Sequence, residues 1–238
     1  MIKSLLFISI APIVIVALYV YIRDKYEKEP VGALIKALLS GIVIVFPVVF
    51  IEGFMIDLPG QSEGIYAALF NGFIVASLTE EGFKFAAFMI FFWQSRNFNE
   101  RFDGIVYAVF ISLGFAAIEN LIYVYKGGYS VGMLRALTAI PAHALFGTVM
   151  GYHLGNARFY PDRRGYHLLL AFLMPFIWHG LYDFLLMSQK PAFLFIFVPL
   201  MIYFWINGFK KIKELSSSSV FRNDFPLSNN GDNSNSSA

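Results

Sequence analysis

GIYAALFNGFIVASLTEEGFKFAAFMIFFW, residues 64–93, is apolar almost throughout yet carries Glu80, Glu81 and Lys84 near its centre. The run is longer than the roughly 20 residues a helix needs to cross a bilayer. A charge at the bilayer centre costs from about 2.5 kcal/mol on insertion scales to more than about 10 in simulations. Three such groups within five residues should therefore face protein or water, and are candidates for chemistry. The rest of the chain has the same character: 58% of its 238 residues are hydrophobic, 14% are charged, and the mean hydropathy is +0.63. An average soluble domain is about 25% charged. This much apolar surface suits a bilayer rather than one soluble core. The chain has no Cys, which excludes disulfides, a thiolate nucleophile and Cys-ligated metals.

The apolar runs predict an all-α, polytopic membrane helix bundle with about seven spans: 4–22, 31–51, 64–93, 104–125, 131–155, 167–187 and 191–209. The third is too long for an upright helix and should tilt, break near Gly72 or Gly82, or project from the membrane. The first run is followed by no small-x-small cleavage pattern and reads as a retained helix. Arg23, Lys25, Lys28, Arg96, Arg101, Arg158, Arg163, Arg164, Lys210, Lys211, Lys213 and Arg222 fall on one side of these spans. Lys3, Lys126, Arg135 and Lys190 fall on the other. That bias places the N-terminus outside and the C-terminus in the cytoplasm of a cell membrane. These Lys and Arg residues are topology determinants, so no nucleic-acid partner is expected. Residues 1–215 read as one transmembrane domain. Residues 216–238 (SSSSVFRNDFPLSNNGDNSNSSA) read as a disordered polar tail.

Four spans each bring ionisable groups to a similar depth. Glu80 and Glu81 lie mid-way along the third; Glu119, followed by Asn120, lies in the fourth; His143 in the fifth; His179 and Asp183 in the sixth. Such groups should face one another or a water-filled cavity. Glu80 and Lys84 are i,i+4, and Glu81 and Lys84 i,i+3, so Lys84 can neutralise one carboxylate and leave the other for chemistry. His179 and Asp183 are i,i+4, so the carboxylate can orient the imidazole. His143 shares a stripe with Gly147, Gly151 and Gly155, the pattern of a close helix-packing face. His153 and His167 sit nearer the cytoplasmic edge. Carboxylates and imidazoles in a low-dielectric pocket suit activation of a water, directly or through a divalent metal such as zinc. No H-E-x-x-H helix is present. The same groups are also compatible with a proton- or ion-coupled transporter or with a non-catalytic membrane scaffold. The transporter reading finds no inverted repeat to support it.

Four motifs occur in order on successive spans: E-E-x-x-K (Glu80, Glu81, Lys84), F-x-x-x-E-N (Phe115, Glu119, Asn120), His143, and H-x-x-x-D (His179, Asp183). With RDKYEKEP after the first span and RFDGIVYAVFISLGFAAIENLIY across the fourth, the chain resembles the PrsW family of intramembrane proteases, in the superfamily of type II CAAX prenyl proteases. That resemblance implies a peptide-bond hydrolase making the first, extracytoplasmic-side cut in a single-span anti-sigma factor, so that a stress sigma factor is later released. It carries functional roles to Glu80, Glu81, Glu119, His143, His179 and Asp183, with Lys84 and Asn120 in support. By analogy one glutamate of the pair activates water, with Glu80 favoured as the base and Glu81 paired with Lys84. The resemblance leaves open whether a metal takes part. The prenyl proteases carry F-x-x-x-H where this chain has Phe115 and Glu119, so an oxyanion role for that His must pass to His143 or His179, or require a protonated Glu119.

Overall fold

The computed structural model describes residues 2–56 and 64–222, and among these every regular element is helical. Helix α1 (Ile2–Arg23) is joined by loop 24–30 to α2 (Val31–Ile56). The quoted run forms α3 (Ile65–Leu69), a π-helical stretch (Phe70–Ser77) and α4 (Leu78–Phe91), with helical backbone angles at both junctions. It neither breaks at Gly72 nor at Gly82; instead the helix type changes. The wider π turn rotates the side chains that follow it relative to an uninterrupted α-helix. It is held against a later helix by Gly72, which packs on the backbone at Gly180 and Phe184, and by the Ser77 hydroxyl, which donates to the Phe176 carbonyl at 2.6 Å.

Helices α5 (Arg101–Leu137) and α6 (Ala139–Phe159) form an antiparallel pair, followed by α7 (Arg164–Met187) and α8 (Pro191–Ser217). The predicted glycine stripe lies on that pairing face. Gly155 sits on the Arg101 backbone, Gly151 on Gly104 and Ile105, and Gly147 on Ala108 and Ser112. Helix α5 is the centre of the molecule, buried nearly all round from Phe102 to Ala116. Side chains facing outward on α1, α2 and α8, such as Phe7, Ile15, Phe46, Phe50, Phe195 and Ile206, are large, apolar and exposed. A soluble domain avoids such a surface, whereas lipid accepts it.

Among the described residues, five helical stretches are long and apolar enough to cross a membrane: Leu6–Arg23, Val31–Ile56, Arg101–Phe159, Pro161–Met187 and Pro191–Ser217. The sequence predicts about seven. The difference has two physical sources. The stretch Arg101–Phe159 contains both α5 and α6, which fold back on each other. The run 65–91 is divided by its π turn into pieces that are each short. The chain is a polytopic helical membrane protein.

Helix α5 also departs from the predicted boundary at 125–131. Its backbone leaves helical geometry at Gly128 (φ 73°, ψ −161°), a region open essentially to glycine alone. Residues 129–137 then return toward the bundle before Thr138 leads into α6. Helix α8 reaches two residues into the segment 216–238, which reads in sequence as a polar tail. It runs to Ser217, and the Ser216 hydroxyl donates to the Arg23 carbonyl at 2.8 Å. Residues 223–238 of that tail, and Asp57 and Glu63 of the acidic segment after α2, lie outside the described residues.

Candidate active site

All the predicted site residues meet in one region between α4, α5, α6 and α7. Lys84 is its hub. The ammonium donates to Glu80 Oε2 (2.9 Å) and Glu81 Oε1 (2.8 Å), and approaches His143 Nδ1 at 3.2 Å. Its Nζ lies 4.4 Å from the Phe115 ring centroid. The spacing alone suggested that Lys84 would satisfy one carboxylate and leave the other over. The structure shows both held by the same ammonium, since all three of its N–H groups point into the cluster. Glu81 and Lys84 are fully buried, at 0% exposure, and Glu80 is 4% exposed. Buried charges persist only where partners replace their hydration.

The two imidazoles flank this ion cluster. His143 Nε2 meets Glu119 Oε2 at 2.8 Å. With Nδ1 facing the Lys84 ammonium as acceptor, His143 is placed as the Nε2–H tautomer, donating to Glu119. His179 Nδ1 meets Glu81 Oε1 at 2.9 Å, and Nε2 meets Asp183 Oδ2 at 3.1 Å. The predicted His179–Asp183 pair therefore forms, but the second nitrogen is turned onto Glu81 rather than left open. Its ring stacks on Phe146 with centroids 5.0 Å apart. The nearest ring nitrogens of His143 and His179 lie 4.0 and 3.9 Å from Glu80 Oε2.

Sequence reasoning missed Arg135, which it counted as a topology determinant. Arg135 Nη2 lies 2.9 Å from Glu119 Oε2, and its Nε donates to Asn120 Oδ1 at 3.0 Å. Asn120 in turn donates to the Ser9 carbonyl at 3.3 Å, tying α1 to the site. On a straight helix Glu119 and Arg135 would be about 24 Å apart along the axis. The turn at Gly128 brings them together, and the Gly127–Gly128 pair was the available signal. His153 and His167 contact each other at 3.1 Å and take no part in the cluster.

A cavity of about 320 Å³ adjoins the cluster, within the range of small-ligand sites. Glu80, Glu119 and Asp183 line it, together with Asn71, Arg135 and Glu52. Glu52 and Asn71 were not anticipated. Each has a buried oxygen, Glu52 Oε1 and Asn71 Oδ1, without a hydrogen-bond partner. Glu52 was hidden because it follows directly on the predicted span 31–51 and reads as the first charge of an acidic loop with Asp57 and Glu63. Glu80 is thus the member of the Glu80–Glu81 pair that reaches open space.

Glu80, Glu81 and His179 each offer a ligand atom, all within 4.8 Å of one another. Glu81 Oε2 is buried and accepts no hydrogen bond. His179 is braced from behind by Asp183, as ligating imidazoles are by a second carboxylate. A mixed nitrogen and oxygen set of three protein donors fits a catalytic divalent metal of the zinc type.

A family model described as PrsW family intramembrane metalloprotease matches residues 29–206. The chain is 37% identical over 218 residues to a protein named Protease PrsW from Oceanobacillus iheyensis, covering 91% of this chain and 98% of that one. It is 34% identical over 215 residues to Protease PrsW of Bacillus subtilis (90% and 96% covered), and 32% identical over 225 residues to that of Clostridioides difficile (91% and 93%). No solved structure matches the chain. On the match of its sequence to that family over most of its length, the chain belongs to the PrsW family of intramembrane metalloproteases and is a protease.

Proposed function

We propose that the protein makes the first cut in a single-span anti-sigma factor, on the extracytoplasmic side of the cell membrane, with Glu80 as the base that activates water. The observation that carries the mechanism is the position of Glu80. It alone of the central pair lines the cavity, and Lys84, His143 and His179 surround it at 2.9–4.0 Å. Glu80 takes a proton from a water, whose oxygen attacks the scissile carbonyl carbon. When the C–N bond breaks, Glu80 returns the proton to the leaving amine. Lys84 holds Glu80 in place and supplies the counter-charge to the central pair. Glu119 and Arg135 fix His143, and Glu81 and Asp183 fix His179, so that both imidazoles are held beside Glu80. A divalent metal bound by Glu81 and His179, with Glu80 beside it as the base, would add Lewis acidity toward water and carbonyl. The anti-sigma substrate class rests on the family resemblance.

The seven-span topology, with the N-terminus outside, is part of the same proposal. In that orientation Ile56, Lys126 and Met187, which line the cavity, all lie at outer helix ends, so the cavity faces the side of the first cut. A reporter fused after Lys213 is expected to read cytoplasmic; an external reading would reverse the orientation.

The test is reconstitution of the purified protein with a single-span anti-sigma substrate. Glu81→Gln and His179→Ala are each expected to lower the cleavage rate by about 100-fold or more. A chelator is expected to stop cleavage and added zinc to restore it. Cleavage that persists in both variants would defeat the mechanism, and cleavage of generic peptides but no anti-sigma factor would defeat the substrate assignment.

A further inference from the structure

A second cluster of carboxylates lies at the opposite end of α5, about 24 Å along the helix from Glu119. Loop 24–30 contributes Asp24, Glu27 and Glu29, and the start of α5 contributes Glu100 and Asp103. One oxygen on each of four of these groups orients the local chain. Asp24 Oδ2 accepts from the Glu29 amide at 3.1 Å, and Glu27 Oε1 from Asn99 Nδ2 at 3.5 Å. Glu29 Oε2 accepts from the Tyr107 hydroxyl. Asp103 Oδ2 accepts from the amides of Asn99 and Glu100 at 2.8 and 2.7 Å. The opposite oxygens, Asp24 Oδ1, Glu27 Oε2, Glu29 Oε1 and Asp103 Oδ1, are buried and accept nothing, as is Glu100 Oε2. Asp103 is 0% exposed and Glu29 2%. Glu27, Glu29 and Asp103 place ligand oxygens within 4.8 Å of one another.

Among the described residues the ion pairs involve none of these five carboxylates. Burial and the neighbouring acids push Glu29 up to about 7, and burial pushes Asp24 up to about 6. Converging oxygens with no nitrogen or sulfur donor are the ligand chemistry of a hard cation. We propose that Glu27, Glu29 and Asp103 bind a divalent cation, Mg²⁺ or Ca²⁺, that ties the α1–α2 loop to the start of α5. This site is separate from the Glu80–His179 cluster and does not depend on the mechanism given above. A shared proton could relieve one pair of acids. It could not serve three converging oxygens at once.

The test uses the full chain in detergent, stripped of metal, with the thermal midpoint followed as CaCl₂ or MgCl₂ is added. The His179→Ala protein removes a donor of the other cluster while leaving Lys84 both of its carboxylate partners. In both backgrounds the midpoint is expected to rise with cation concentration, as for any ligand that binds only the folded state. The ion acting at lower concentration identifies the preferred cation. Glu27→Gln changes the half-buried member and leaves the cap of α5 intact. It is expected to weaken the apparent affinity by about 10- to 100-fold or more. Equilibrium dialysis of the His179→Ala protein against CaCl₂ or MgCl₂ is expected to find one bound ion per chain. That measurement decides the matter even if Glu27→Gln fails to fold. No cation-dependent rise would overturn the proposal, as would a rise unchanged by Glu27→Gln, or dialysis that finds no bound ion. Stability that instead climbs only as pH falls below about 7 would identify a shared proton, because a raised carboxylate stabilises the fold in its protonated form.

Discussion

Glu80→Gln is expected to lower kcat for substrate cleavage by about 100- to 10,000-fold, the range of general-base catalysis, with KM little changed. The side chain keeps its size and still offers an oxygen to Lys84, but it no longer takes a proton. Glu81 remains beside Lys84 at 2.8 Å, so the buried ammonium keeps one anionic partner. The loss of fold stability should therefore be smaller than the about 3–5 kcal/mol seen when a buried pair is left with an uncompensated charge. The same substitution at Glu81 removes the carboxylate bonded to both Lys84 and His179, and should cost more stability. Measuring kcat and thermal midpoint side by side separates the two roles. If Glu80→Gln keeps kcat within about tenfold of wild type while Glu81→Gln abolishes it, the base is Glu81 and the cavity-facing assignment is wrong.

Gly151→Ala is expected to have the largest effect on folding of any single methyl addition in α6. A Cβ there would meet the Gly104 carbonyl oxygen, with the Ile105 Cα at 2.5 Å and the Gly104 carbonyl carbon at 2.6 Å. These are backbone atoms and cannot rotate away, so α5 and α6 must separate. Overpacking costs about 1–3 kcal/mol where side chains can yield, and a backbone collision belongs at or above the top of that range. Against a typical total stability of about 5–15 kcal/mol this is a large fraction. Activity should fall as well, since α5 carries Glu119 and α6 carries His143, and their contact is 2.8 Å. Gly165→Ala, where a Cβ meets nothing within 4 Å, is the matched control and should leave the midpoint and cleavage unchanged. A Gly151→Ala protein with wild-type midpoint would show that the helices do not pack at this face.

The membrane class was readable because bilayer insertion is governed by local composition. The long apolar runs are sufficient for it, whatever the helices do to one another. The convergence of the candidate residues was readable for a related reason: Glu80, Glu81, Glu119, His143, His179 and Asp183 are costly where they stand. An ionisable group inside an apolar span must find partners, and few others exist at that depth. Spacing along one helix also foretold real contacts, as for Glu80 and Lys84, and His179 and Asp183. What spacing could not show was how Lys84 divides itself. Its third contact, to His143, comes from a different helix.

Arg135 and Glu52 show the same limit more sharply. Both sit near helix ends, where a charge is cheap and reads as a marker of topology. Only the turn at Gly128 brings Arg135 back onto Glu119, and only the convergence of α2, α5 and α7 turns Glu52 toward a shared cavity. The π turn at 70–77 belongs with them, since it answers to packing on α7 and leaves no mark in hydropathy. Sequence alone determined that the chain lives in lipid and which groups are too expensive to be idle, because both follow from transfer free energies summed along the chain. Tertiary structure decided who bonds to whom and which carboxylate meets open space, because those depend on contacts between residues distant in sequence that no local period records.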